Sequence, residues 1–157
     1  MFPMIIDVRE VEWLLSVCNA CKRELADEGI PFDENLELGI MIETPAAALI
    51  SDRLAPLVDF FSVGTNDLTQ YTLACDRQNP KLERFCNPRH EAVLRLIETA
   101  TENAHRHGAW IGICGELAAD PSMTERFLRM GIDELSVVPS EILPLRDKVR
   151  SINLGGG

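Results

Sequence analysis

Apolar residues fall along this chain in two alternating rhythms. Short runs rich in β-branched or aromatic residues, Leu36 to Glu43, Val58 to Asn66, Ala109 to Cys114 and Glu134 to Val138, read as buried strands. The opening Met1 to Ile6 reads as a fifth. Elsewhere apolar positions return every three or four residues. Val8 to Glu28 carries Val11, Leu14, Leu15, Cys18 and Leu25 at that spacing, and Pro88 to His107 carries Val93, Leu96, Ile97, Ala100 and Ala104. Strand and helix therefore alternate. Strands apolar on both faces belong in a parallel sheet covered by helices, so the expected fold class is α/β.

Polar residues gather where these strands end. Glu43 follows Ile40-Met41-Ile42, Gly64-Thr65-Asn66-Asp67 follows Phe60-Phe61-Ser62-Val63, Gly115-Glu116 follows Ile113-Cys114, and Ser140 closes the last strand. In a parallel sheet all carboxyl ends lie on one side, where α/β folds build their sites. One shared site is expected there.

Composition narrows what that site must do. A 157-residue chain that is 46% hydrophobic forms one domain with an ordinary core, taken as residues 1–157. No apolar run approaches the ~18 residues of a membrane helix, and the first residues lack a secretory pattern, so a soluble cytoplasmic protein with no membrane partner is expected. The net charge of −10, without a basic cluster, argues against nucleic acid. An anionic substrate would need a local device such as a metal ion or a helix N-terminus. Five cysteines, irregularly spaced, are expected as reduced thiols rather than disulfides. Cys18 and Cys21 lack the second pair that would complete a zinc site, and Cys18 reads as core. His90, His105 and His107 receive no role.

Glu43 and Asp67, at the ends of successive strands, could hold a hard divalent ion such as Mg²⁺ through oxygen. A structural reading stands beside this one. Thr44-Pro45 fits an N-cap followed by a first-turn proline, and Asp67 with Gln70 fits a capping box. Gly64-Thr65-Asn66-Asp67 is a tight strand-to-helix turn whose N–H groups could face a phosphate. Arg77 could add a guanidinium for phosphate or carboxylate, or be simply solvated. Cys114, flanked by Gly112 and Gly115, could donate a proton to a carbanion, or be a small buried hydrophobe.

Gly39-Ile40-Met41-Ile42-Glu43-Thr44-Pro45-Ala46-Ala47, then Asp59 through Gly64-Thr65-Asn66-Asp67-Leu68-Thr69-Gln70-Tyr71, then Cys114-Gly115-Glu116-Leu117-Ala118 resemble consecutive signatures of the phosphoenolpyruvate-utilising enzymes. Tyr71 to Ala74 and Asp76-Arg77 look more like the enzyme I family of the bacterial sugar phosphotransferase system than like pyruvate phosphate dikinase or phosphoenolpyruvate synthase. The resemblance runs from Met1 to about Arg150. It implies roughly the last five units of a (βα)8 TIM-type barrel, truncated at both ends. It implies Glu43 and Asp67 as magnesium ligands, Asn66, Asp67 and Arg77 as substrate-binding residues, and Cys114 as the acid that protonates the enolate to give pyruvate. The implied activity is phosphoryl transfer from phosphoenolpyruvate to a protein histidine on a separate N-terminal domain that recruits the carrier protein HPr. A homodimer is implied as well. With five barrel strands an open sheet is expected to self-associate or to be disordered at its first strand, and ligand binding by the chain alone is expected to be weak. A noncatalytic dimerisation or binding module is the alternative.

Overall fold

In the computed structural model, which describes residues 1–155, four strands form one parallel sheet in the order β1-β2-β3-β4, numbered along the chain: Gly39–Ile42, Phe60–Gly64, Trp110–Cys114 and Glu134–Leu135. Each strand pairs with the next one in sequence. That singly wound order is an arc of a (βα)8-type barrel, because a doubly wound sheet would reverse direction at a switch point.

The helices are α1 (Val8–Asp27), α2 (Pro45–Leu49), α3 (Ser51–Leu54), α4 (Thr65–Leu73), α5 (Glu91–Arg106), α6 (Thr124–Met130) and α7 (Ile142–Ser151). Strand alternation separates the faces of the sheet. Ile40, Ile42, Phe61, Val63, Ile111 and Ile113 are fully buried, among α2, α3, α4 and α5. Each such side chain contributes about 1.5–3 kcal/mol by leaving water. On α5, Val93, Ile97, Ala100 and Ala104 are buried as the helical spacing requires, with Leu96 half-buried. The intervening strand positions Phe60, Ser62, Trp110 and Cys114 remain partly exposed on the other face, where the Phe60 and Trp110 rings stack with centroids 4.5 Å apart.

Several sequence expectations are corrected. The segment Met1 to Ile6 makes one bridge, Phe2 to Ile40, instead of a fifth strand. Pro3 has no N–H to give a ladder, and Met4 turns into the left-handed region with φ 56°. The first strand starts only at Gly39, since Leu36 lies in a turn closed by its N–H to Asp33 O. Thr65 and Asn66 already belong to α4, and Ser140 lies in a 3₁₀ turn, Pro139–Glu141, beyond the two-residue β4. Helix α1 forms as expected, but only Val11 is buried, with Leu14, Leu15, Cys18 and Leu25 half-exposed. Cys18 is therefore not core. Two of the five cysteines, Cys75 and Cys86, form a disulfide, leaving Cys18, Cys21 and Cys114 free. Linear spacing did not reveal the pair; the loop after α4 brings the two Cα atoms to 6.1 Å.

Candidate functional site at the strand ends

Register aligns the carboxyl ends of the first three strands. Ile42 is level with Val63 and Gly64 with Cys114, so Glu43, Gly64 and Cys114 arrive along one edge of the sheet.

Glu43 leaves β1 as a buried carboxylate, 3% exposed. Its Oε1 accepts the Met4 N–H at 2.7 Å, a donor that the left-handed turn at Met4 presents. None of the ion pairs among the described residues includes Glu43. Buried carboxylates are ordinarily neutralised by a cation or a metal. Next to it Gly64 packs so closely that an added β-carbon would lie 2.6 Å from Glu43 Oε2. Glycine is needed there for space, because its φ of −83° suits any residue.

α4 begins at Thr65, with no linker after β2 and no side chain capping its first turn. Its N-terminal N–H groups are thus available to an anion. The expected Asp67–Gln70 capping box does not form. Gly64 occupies the N-cap position, so Asp67 sits inside the first turn, and Gln70 turns its Oε1 to the Arg77 N–H at 3.1 Å. The neighbouring cap is as expected: Thr44 Oγ1 accepts from Ala47 N at 3.0 Å, with Pro45 at the first helical position.

Arg77 reaches back to α4, its Nη2 3.4 Å from Asp67 Oδ1. Both side chains are partly in water, where such a pair contributes about 0–1 kcal/mol. It fixes direction more than stability. Asn66, Gln70, Arg77, Cys86 and Glu116 line a pocket of about 300 Å³. Glu43, Asp67 and Cys114 are not among its lining residues: Glu43 and Cys114 stand at the strand edge and Asp67 in the first turn of α4.

The sulfur of Cys114 lies 3.4 Å from Ser62 Oγ, which donates to it, and 3.4 Å from Val63 O, which accepts from it. Gly115 follows with φ +97°, a left-handed conformation, and a β-carbon there would sit 2.7 Å from Thr65 Oγ1 and 3.4 Å from Asn66 Oδ1. That close approach brings the Cys114 end of β3 against the first turn of α4.

Glu43 and Asp67 are the carboxylates that the sequence offered to a metal. Among the described residues no group of three or more His, Cys, Asp or Glu gathers as a metal site. Mg²⁺ ordinarily takes one or two protein carboxylates and completes its shell with water and substrate oxygens. Sequence reading assigned no role to Ser62 or Glu116, and gave Gln70 only the capping box that does not form. Ser62 was detectable as the one polar residue inside an apolar run. Gln70 follows Asn66 by four positions and so shares its helix face. Two of the three histidines have other partners: His90 Nδ1 caps α5 by accepting from Ala92 N at 3.1 Å, and His105 lies 2.9 Å from Asp133.

Residues 1–154 match the family described as PEP-utilising enzyme, PEP-binding domain. Among curated proteins, the phosphoenolpyruvate-protein phosphotransferase of Haemophilus influenzae is 47% identical over 153 residues, 98% of this chain and 27% of that protein. The protein of the same name from Buchnera aphidicola is 47% identical over 150 residues, and that from Geobacillus stearothermophilus 41% over 152. The chain spans 26–27% of the length of these relatives. In fold, a citrate lyase from Burkholderia xenovorans aligns with TM-score 0.69 over 93% of this chain and 47% of its own, at 19% identity. An HpcH/HpaI aldolase/citrate lyase family protein from Burkholderia cenocepacia aligns with TM-score 0.53 over 73% of this chain and 40% of its own, at 17% identity. At those identities the likeness is one of fold.

Proposed function

This chain belongs to the PEP-binding domain family of the PEP-utilising enzymes, and from that premise we propose that its strand ends supply the Mg²⁺- and phosphoenolpyruvate-binding half of a site for phosphoryl transfer to a protein histidine. The observation that carries the reading is Glu43, a buried carboxylate without a cation, on the same sheet edge as a free helix N-terminus and a thiol.

Glu43 and Asp67 would hold Mg²⁺. The ion, when bound, offsets negative charge on the phosphate and on the enolate left as the phosphoryl group departs. Asn66 and the first N–H groups of α4 bind phosphate oxygens. Arg77, aimed by Asp67 and by the Gln70 bond to its backbone, adds a guanidinium that matches phosphate geometry. The phosphorus–oxygen bond to the enol breaks as a bond to histidine nitrogen forms, and Cys114 gives its proton to the enolate methylene carbon, yielding pyruvate. Ser62 then hydrogen-bonds the thiolate. The acceptor histidine and the HPr carrier are contributed from outside these residues in this reading. Exposed Trp13 and Val17 on α1 and Leu143 on α7 support pairing with a second copy, and a noncatalytic dimerisation module is the competing reading.

Ligand protection separates the two. Phosphoenolpyruvate with Mg²⁺ is expected to slow alkylation of Cys114 by iodoacetamide while leaving the exposed Cys21 unaffected. Equal alkylation of Cys114 with and without millimolar ligand would remove the thiol from the site.

A further inference from the structure

Arg77 sits on a loop that, among the described residues, side-chain hydrogen bonds and ion pairs tie to the rest of the fold only at Arg77 itself, through Gln70 and Asp67. Residues 76 to 85 contribute no fully buried side chain. Local turns order the segment: Gln78 N–H donates to Asp76 Oδ1 at 2.9 Å, Lys81 N–H to Asn79 Oδ1 at 3.1 Å, and a 3₁₀ turn spans Glu83–Phe85. Such a segment opens at low free energy unless something fastens it. The fastening is covalent. Cys75, 6% exposed just past the end of α4, is disulfide-bonded to Cys86, 11 positions later. Cys86 also lines the pocket that contains Asn66 and Arg77.

We propose that the Cys75–Cys86 pair is a redox switch on the phosphate-binding loop. The disulfide holds Arg77 at the pocket, and the dithiol releases the loop and weakens anion binding. The identity of the anion as phosphoenolpyruvate rests on the function proposed above; the tether does not. Cys86 is the more accessible sulfur, so the thiolate of a small thiol such as glutathione attacks there and expels the Cys75 thiolate. A second small thiolate attacks the mixed disulfide at the small molecule's sulfur. It releases the Cys86 thiolate and a small-molecule disulfide, so two electrons pass from two thiols to the protein pair. Oxidation is the reverse, with a small-molecule disulfide such as oxidised glutathione as the oxidant.

The test compares oxidised chain, dithiothreitol-reduced chain and the Cys75→Ser/Cys86→Ser variant. Thiol alkylation and mass measurement first establish the state, oxidised chain being expected to expose three thiols, those of Cys18, Cys21 and Cys114. Five thiols after treatment with oxidised glutathione would overturn the proposal. Trypsin cleavage after Arg77, Lys81 and Arg84 is expected to accelerate about tenfold on reduction, following the population of the open loop. Phosphoenolpyruvate with Mg²⁺ is expected to bind several-fold more weakly to the reduced chain, because preorganisation of Arg77 is lost. The variant should behave as the reduced chain and ignore dithiothreitol. Cleavage or affinity that is the same in both redox states overturns the switch. Loop release without phosphoenolpyruvate binding in either state overturns the substrate assignment instead. Inorganic phosphate then probes the pocket, and redox-dependent phosphate affinity supports the switch while redox-independent affinity overturns it.

Discussion

Gly64→Ala puts one methyl group into the tightest contact at the strand edge. Its β-carbon would lie 2.6 Å from Glu43 Oε2, 2.9 Å from Glu43 Cβ and 3.1 Å from Met41 Cε. The backbone is not the obstacle, since φ at Gly64 is −83°. The carboxylate must move, and with it the 2.7 Å bond that Oε1 accepts from Met4. Overpacking of this kind costs about 1–3 kcal/mol, offset by about 0.4–1 kcal/mol because alanine restricts the unfolded chain. A net loss of about 1–2 kcal/mol is expected in urea unfolding followed by tryptophan fluorescence. If the Glu43 carboxylate is the obstacle, Glu43→Ala relieves it. The double variant should then be more stable than the sum of the single effects requires, by about 1 kcal/mol of coupling. Unchanged stability of Gly64→Ala, or an additive cycle, would refute the claim that Gly64 seats Glu43.

Thr44→Ala removes the α2 cap and a hydroxyl that donates to Ile5 O at 2.7 Å, so a loss of about 1–2 kcal/mol is expected by the same urea assay. Thr72 Oγ1 is buried without a hydrogen-bond partner among the described residues, and Thr72→Val is therefore expected to be neutral or stabilising by up to about 1 kcal/mol in thermal unfolding. Burial pushes the Asp120 carboxyl up, but bonds from Ser122 and the Arg89 guanidinium outweigh it and hold the group below its ordinary value. A depressed carboxyl stabilises the fold above its unfolded pKa, near 3.8, and that contribution is lost as pH falls through the folded value. The stability gap between the native chain and Asp120→Asn should be full at neutral pH and close in the acid range below 3.8; a gap independent of pH would contradict it.

The rhythm of apolar residues carried the strands and α5 because burial decides both. Val93, Ile97, Ala100 and Ala104 are spaced as a helix and buried as one. It failed where backbone chemistry or the environment overrides pattern. Met1 to Ile6 has strand-like residues, yet Pro3 and the left-handed Met4 divert its N–H to Glu43. The apolar stripe of α1 is present, but little packs over it. Polar residues after apolar runs picked out Glu43, Asn66 and Asp67, and Cys114 closes its own run, because the apolar pattern breaks where the strands of a parallel sheet end. Two features depend on how a loop returns through space, which spacing does not encode: the turn of Gln70 toward the Arg77 backbone and the pairing of Cys75 with Cys86.

The most direct test of the half-site is calorimetric titration of the oxidised chain with phosphoenolpyruvate, with and without Mg²⁺, repeated for Glu43→Gln and Asp67→Asn. The account predicts weak, saturable binding in the millimolar range that requires Mg²⁺ and is lost in both variants. Heats that are absent at millimolar ligand, or identical in the variants and without the metal, would contradict it.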